Sequence, residues 1–185
     1  IYMGIEWESD DEVGMNLIAD LNDKIIPANG KLGNRQIPKG AGLGIKPVSK
    51  EGSQRHIRKA IEHALRMDGI KRHVTLVHKG NIMKFTEGAF RDWGYELAQS
   101  EFREVCITER ESWILSNIEK NPNLSIEENA KLIDPGFTSL TEEKKNIICN
   151  EVKSVISQIG KTHGKGKWKS MVLVDDRIAD SIFQQ

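Results

Sequence analysis

A helix, a strand and a second helix follow one another in residues 49–102, and this order limits the fold most. Ser49 can cap a helix that runs to about Arg66, with apolar residues repeating along one face. The β-branched run His73–His78 has the composition of a buried strand. A second amphipathic helix is expected over residues 86–102. We therefore predict an α/β fold in which helices cover a sheet.

The segment before this unit has a different composition. Residues 1–8 are predicted to form a short strand, and residues 10–26 a helix with apolar positions three and four apart. Eight glycines and prolines then fall within residues 27–47. At that density a continuous helix cannot form, so we expect loops, or a short hairpin around residues 36–45.

Residues 103–170 carry their own helix signals. Ser125 and Glu128 form a capping box that opens a short helix. Thr141 begins a longer helix that we expect to end at Gly160, and a basic loop over residues 161–169 follows it. The apolar stripe of this longer helix consists of Ile148, Val152, Val155, Ile156 and Ile159. We expect an ordered helical subdomain, because an apolar stripe must be covered.

The end of the chain is predicted as a strand over residues 171–174 and a last helix from Arg177, capped by Asp176. Asp180 falls inside that helix, beside apolar residues. A carboxylate in such a place needs a partner, which could be a cation. From the residues alone, a metal ligand and a structurally paired aspartate both remain open.

Composition excludes several classes of protein. The 27 basic and 27 acidic residues give a formal net charge of zero, which argues against a general nucleic-acid binder. No run of about 18 apolar residues indicates a membrane span, and no signal peptide is recognisable. Two cysteines do not make a disulfide scaffold, so a cytoplasmic setting is expected. Because the chain begins with Ile1, we expect a segment of a longer protein.

Charge is unevenly distributed along this neutral chain. Residues 1–30 hold seven acidic groups and one basic group, whereas residues 31–100 hold 14 basic and six acidic groups. The basic middle suggests that an anion docks there, although solvated helix faces would give the same excess.

The sequence His78-Lys79-Gly80-Asn81 follows the predicted buried strand. Ligands of α/β proteins bind at the carboxyl ends of such strands, where Lys79 would be partly desolvated and reactive. An ordinary strand-to-helix turn is the alternative. For His78 a structural role is favoured over metal binding, because no histidine lies at a ligand spacing. Tyr2 could be an acid or base, or a packed aromatic residue.

Several runs together resemble one family. They are residues 1–7 (IYMGIEW), 44–47 (GIKP), 75–95 (TLVHKGNIMKFTEGAFRDWGY) and 176–180 (DRIAD) with Gln184 and Gln185. These runs resemble the middle of bacterial NADP-dependent isocitrate dehydrogenases, in the isocitrate/isopropylmalate dehydrogenase family. The resemblance covers residues 1–102 and 171–185, and the run over 75–95 is its most specific part.

The resemblance implies a domain arrangement. Residues 1–45 would be the clasp through which two subunits interlock as a homodimer. Residues 46–102 and 171–185 would form most of the small α/β domain. Residues 103–170 would be a helical insertion; its apolar stripe and the net charge of −4 over residues 101–160, and not the resemblance, indicate a structural role. The large domain would be missing, so we expect this piece alone to be inactive.

The resemblance also implies a reaction and the residues for it. Isocitrate is oxidised by NADP⁺, loses CO₂ with the help of Mg²⁺ or Mn²⁺, and is protonated to 2-oxoglutarate, a step of the tricarboxylic acid cycle. Tyr2 would donate the last proton, and Lys79 of the partner subunit would adjust that transfer. Asp180 would be a metal ligand across the dimer. Asn81, Gln184 and Gln185 would lie near the cofactor.

Two other functions stay open at this point. One is a dimerisation or binding module that keeps the fold without catalysis. The other is a related dehydrogenase for isopropylmalate or homoisocitrate, because most residues that read the third carboxylate would lie outside this chain. No nucleic-acid partner and no membrane partner are expected.

Overall fold

The computed structural model describes residues 5–28, 35–67 and 72–183, without the side chains of Ala28, Ile182 and Phe183. The chain divides into two compact units, residues 1–47 and residues 48–185. Within the described ranges, no helix combines the length and the apolar character needed to cross a bilayer.

The first unit contains a two-stranded antiparallel sheet. Strand β1 (Ile5–Trp7) pairs with β2 (Leu43–Ile45), so that Trp7 lies opposite Leu43. Of the two alternatives predicted for this segment, the hairpin around residues 36–45 is therefore wrong, because the partner of β2 comes from the start of the chain, and residues 35–42 form a loop. The glycine-rich segment gives β2 few side chains with which to stabilise a local hairpin, so the pairing is long-range.

Between these strands lies the predicted first helix. Helix α1 (Glu12–Asp20) begins at Asp11, whose carboxylate accepts a 2.9 Å hydrogen bond from the backbone N–H of Gly14. The helix continues as a π-helical turn over Leu21–Ile25 and a last turn over Ile26–Ala28.

The second unit is built on a parallel three-stranded sheet. It begins with helix α2 (Lys50–Leu65), capped by Ser49 as predicted, and strand β3 (His73–His78). Helix α3 (Glu87–Ser100) and strand β4 (Cys106–Thr108) follow. The α/β prediction is confirmed, because β3 and β4 both pair in parallel with a strand near the end of the chain.

The two helices predicted in residues 103–170 are present as α5 (Ile126–Ile133) and α6 (Glu142–Ser154). A further helix, α4 (Glu109–Lys120), precedes them and was not predicted, although a capping box opens it as one opens α5. Helix α6 continues through a π-helical turn, Val155–Ile159, into Gly160–His163. The predicted end at Gly160 is therefore wrong, because its backbone is helical and the first non-helical residue is Gly164.

The last strand is longer than its apolar core suggests. Strand β5 (Val172–Ile178) lies between β3 and β4, and helix α7 (Ala179–Phe183) follows it at once. Asp176 is therefore a strand residue and does not cap the last helix. The strand was predicted to end at residue 174 because the apolar run stops there, and two aspartates and an arginine follow. These three residues are nevertheless part of the strand, because they pair with β3.

The second unit contains two apolar cores. The first is formed between the sheet and helices α2 and α3 by Ile57, Ile61, Val74, Leu76, Leu97, Cys106, Val172 and Val174. The second joins α4, α5 and α6, and its buried members include Ile107, Ile114, Ala130, Ile133, Phe137, Ile148 and Val152. Strand β4 contributes Cys106 to one core and Ile107 to the other, because neighbouring strand residues point to opposite faces.

Candidate active site at the carboxyl ends of two parallel strands

Lys79 and Asp180 meet where strands β3 and β5 end. His78 lies opposite Ile178 in the parallel ladder, so the residues that follow both strands emerge at the same edge of the sheet. There the ammonium of Lys79 contacts the carboxylate of Asp180. The Lys79 side chain is 29% exposed, which agrees with the predicted partial desolvation, and the Asp180 side chain is 58% exposed.

The turn after β3 holds the backbone of Lys79 firmly. Its N–H donates to a carboxylate oxygen of Glu87 at 3.1 Å, at the start of α3. Its carbonyl accepts hydrogen bonds from the N–H groups of Ile82 and Met83, at 3.1 and 3.0 Å. A Cβ atom on Gly80 would lie 2.8 Å from both the Cα of Gly88 and Nδ1 of His78. Glycine is therefore required for this close approach.

A partly buried hydrogen-bond network lies directly behind this turn. Nε2 of His78 is 2.9 Å from Oδ2 of Asp176, and the N–H of Gly80 donates to Nδ1 of His78 at 2.9 Å. The hydroxyl of Tyr95, on α3, donates to Oδ1 of Asp176 at 2.6 Å. Only 2% of His78 is exposed. The network thus joins the turn, the central strand and α3.

The network also fixes the charge state of Asp176. Partial burial by itself would raise the pKa of this carboxyl, but hydrogen bonds from Tyr95 and His78 outweigh burial, and the pKa is lowered. Burial, followed by the bond to Asp176, raises the pKa of the Tyr95 phenol. Asp176 is therefore an acceptor and Tyr95 a donor at neutral pH.

A second set of ion pairs links β5 to the start of α4. Arg177 donates two hydrogen bonds to the carboxylate of Glu109, at 2.9 and 3.1 Å, and its guanidinium is 2.9 Å from Asp175. Glu109 is the first residue of α4, so this bidentate pair ties the start of α4 to the end of β5.

A cavity of about 520 Å³ adjoins the network on the same edge of the sheet. Tyr95 and Asp176 line one side of it, and Trp113, Val155 and Ile159 line another. The long helix of residues 142–163 is therefore close to the groups behind Lys79.

The residues can supply part of a metal site. Asp180 presents a carboxylate, which is the kind of hard oxygen ligand that Mg²⁺ and Mn²⁺ prefer. Across residues 5–28, 35–67 and 72–183, however, no three His, Cys, Asp or Glu side chains cluster closely enough to hold a metal ion. Among the described residues, Asp180 is therefore a candidate for one ligand only, and a complete metal site is not present.

The structure joins some of the predicted site residues and leaves others untested. Lys79 and Asp180 come together, and Asn81 lies exposed in the same turn. Tyr2, Gln184 and Gln185 lie outside the described residues.

Sequence reasoning missed Tyr95 and Asp176 as parts of this site. Tyr95 lies inside the motif that carried the resemblance, but nothing local indicates its partner. Asp176 follows Asp175 in β5, and this acidic pair was the one available signal.

Comparisons with known sequences identify the family of the chain. The profile of the family described as "Isocitrate/isopropylmalate dehydrogenase" matches residues 1–135. Proteins named "Isocitrate dehydrogenase [NADP]" from Nostoc sp. PCC 7120 and Synechocystis sp. PCC 6803 are 64% and 60% identical to this chain over all 185 residues. One of the same name from Haloferax volcanii is 51% identical over 114 residues, which is 61% of this chain and 25% of that protein.

The chain spans 39% of the length of the two cyanobacterial relatives. The matched profile covers the run after β3 that carries Lys79, which lies beside Asp180 at the edge of a parallel sheet. On this profile match and this identity to its relatives, the chain belongs to the isocitrate/isopropylmalate dehydrogenase family.

Proposed function

We propose that this chain is the clasp and small-domain part of an NADP-dependent isocitrate dehydrogenase. The complete protein would convert isocitrate and NADP⁺ to 2-oxoglutarate, CO₂ and NADPH. The relatives that match the whole chain carry that name. The observation that carries the proposal is the contact between Lys79 and Asp180, which sets an ammonium beside a carboxylate at the ligand-binding edge of a parallel sheet.

In this proposal each residue has a task suited to its chemistry. The ammonium of Lys79 adjusts proton transfer at the substrate, and its partial burial strengthens its electrostatic effect. The phenol of Tyr2 donates the proton that completes 2-oxoglutarate. Asn81 can both donate and accept hydrogen bonds from the turn, near the nicotinamide. Gln184 and Gln185 approach the cofactor from the segment after α7.

Asp180 would hold the divalent cation together with carboxylates from outside the described residues. A bound Mg²⁺ or Mn²⁺ would supply the Lewis-acid chemistry that favours loss of CO₂, and NADP⁺ would supply the hydride acceptor.

The proposal includes the assembly. Residues 1–45 would form the clasp of a homodimer, in which Lys79 and Asp180 of one subunit serve the site that contains Tyr2 of the other. In support, β1 and β2 form a two-stranded sheet, and sheet edges are surfaces that favour pairing. Residues 103–170 would act as a structural insertion, and the cytoplasm would be the location.

The test is an assay of the complete protein with isocitrate, Mg²⁺ or Mn²⁺, and either NADP⁺ or NAD⁺. We expect NADPH formation that depends on the metal. Isopropylmalate and homoisocitrate are assayed in parallel, and a preference for either would redirect the proposal to a related dehydrogenase. If the folded protein turns over none of the three substrates, a non-catalytic binding module would be favoured.

A further inference from the structure

We propose that His78, held by Asp176, is a positioning residue that sets the place of Lys79 at the site. This inference rests on the proposed role of Lys79. It concerns His78 and Asp176, to which the proposed function assigns no part in the reaction.

The hydrogen bonds determine which nitrogen of His78 carries the proton. A backbone N–H is always a donor, so Nδ1, which receives the N–H of Gly80, must present its lone pair. The proton of the neutral ring therefore lies on Nε2, and Nε2 donates to the Asp176 carboxylate at 2.9 Å. Each ring nitrogen thus has one partner.

Asp176 is itself fixed from two sides. It belongs to β5, where it lies opposite Leu76 of β3, and its second oxygen accepts the Tyr95 hydroxyl at 2.6 Å. Its carboxylate cannot turn without breaking one of these two bonds. The orientation of the His78 ring is therefore set by the central strand and by α3.

The orientation is passed on to Lys79 through the backbone. Lys79 lies between His78, which is anchored to Asp176, and Gly80, whose N–H is anchored to the His78 ring. Its own N–H is held by Glu87. These bonds restrict the backbone dihedral angles of Lys79, so its side chain leaves the sheet edge in one direction, towards Asp180.

Packing alone does not require these polar groups. An apolar side chain could fill the place of His78, whereas a buried imidazole costs free energy unless its nitrogens are paired. Because a displacement of about 1 Å at a reacting group costs up to about 10²-fold in rate, the position of Lys79 is the property this network protects.

Three variants of His78 in the complete protein separate its two bonds. His78→Asn can still accept from Gly80 but does not reach Asp176. His78→Gln can still reach Asp176 but not Gly80, and His78→Leu removes both bonds. We expect turnover to fall most in His78→Leu, by up to about 10²-fold, with a smaller change in KM for isocitrate. Val77→Ala, an exposed neighbour in the same strand, is the matched control and should keep normal turnover.

The decisive comparison combines His78→Leu with Lys79→Met. If His78 acts through Lys79, the double variant is no slower than Lys79→Met alone, because effects that share one route are not additive. Should His78→Leu slow the Lys79→Met protein by the same factor as it slows the wild type, the proposal is overturned. If His78→Leu does not fold, His78→Asn takes its place in the same cycle.

A second measurement does not depend on the reaction. Acetylation of lysines by a trace of acetic anhydride, followed by mass spectrometry, reports how accessible each ammonium is. We expect His78→Leu to label Lys79 several-fold faster than the wild type does, while Lys153 on α6 is unchanged. Equal labelling of Lys79 would overturn the positioning role. Failure of the wild type to oxidise isocitrate would instead overturn the proposed function. The labelling of Lys79 would still test whether His78 positions that side chain.

Discussion

Lys79 contacts the carboxylate of Asp180 although the two residues are 101 positions apart in the chain. The contact exists because β3 and β5 are parallel neighbours whose last residues, His78 and Ile178, lie opposite each other. A cation and an anion are thereby held at one sheet edge. The functional predictions below start from this pair.

Replacing Lys79 by Met should lower turnover of isocitrate by about 10²–10⁴-fold, the usual contribution of a positioned acid/base group. The apolar stem is kept, so KM should change less than kcat. Steady-state kinetics of the complete protein measure both constants. Lys153→Met, an exposed position on α6, is the control. A kcat close to normal in Lys79→Met would remove this residue from the mechanism.

Variants of Tyr2 and Lys79 should complement each other if one site uses both subunits. Tyr2→Phe and Lys79→Met are each expected to be slow on their own. Random assembly of the two variants gives half heterodimers, each with one intact site, so the mixture should recover about a quarter of wild-type turnover. The measurement is NADPH formation after co-expression or joint refolding. No recovery in verified heterodimers would mean that Tyr2 and Lys79 of the same subunit share a site.

The hydrogen bonds to Asp176 should make stability depend on pH. Because the pKa of Asp176 is lowered in the folded state, its contribution is fully present above the unfolded carboxyl pKa of about 3.9. It is lost as the pH falls through the lower, folded value. His78 and Tyr95 face this carboxylate directly, and Arg91 of α3 adds a weaker attraction.

Urea denaturation of the wild type and of Asp176→Asn tests this dependence. The wild type should exceed Asp176→Asn in free energy of unfolding most near pH 7, and this difference should shrink below about pH 4. Asp92→Asn, at an exposed position on the same helix as Tyr95, should give a small gap throughout. A gap for Asp176→Asn that is constant across this range would contradict the assigned hydrogen bonds.

The second core should support stability without taking part in the reaction. Ile148 is 9% exposed and packs in that core, whereas the adjacent Ile147 is 62% exposed. Ile148→Ala should lower the free energy of unfolding by about 2–5 kcal/mol, and Ile147→Ala by far less. Thermal and chemical denaturation measure the loss. Isocitrate affinity and turnover of the folded Ile148→Ala protein should stay normal, and a drop in turnover would show that the insertion reaches the active site.

The two cysteines should differ in reactivity. Burial raises the pKa of the Cys106 thiol to about 12, so its thiolate is scarce at pH 8. Cys149 is only partly buried. In native protein, a thiol reagent should therefore label Cys149 faster than Cys106. Labelling kinetics of Cys106→Ser and Cys149→Ser show which thiol reacts in the fast phase and which in the slow phase. Rapid labelling of Cys106 in folded protein would contradict its place in the core.

Local sequence signals determined most of the elements. Ser49 and Ser125, both predicted as caps, each accept a hydrogen bond from a residue three positions away, and such a bond depends on neighbouring residues alone. Thr108 caps α4 in the same way, although that helix was not predicted. The strand over residues 73–78 was predicted with its correct ends, since its β-branched run stands between polar segments. Lys79 was predicted as a site residue because it directly follows this strand.

Only the tertiary structure decided which distant segments meet. The pairing of β1 with β2, the extension of β5 through Asp175 and Asp176, and the bond between Asp176 and Tyr95 all join residues far apart in the chain. A pattern of neighbouring residues records that a polar side chain needs a partner but not which partner it has. For that reason the sequence could predict Lys79 and Asp180 separately, whereas their contact and the His78 network behind it follow from the parallel pairing of β3 with β5.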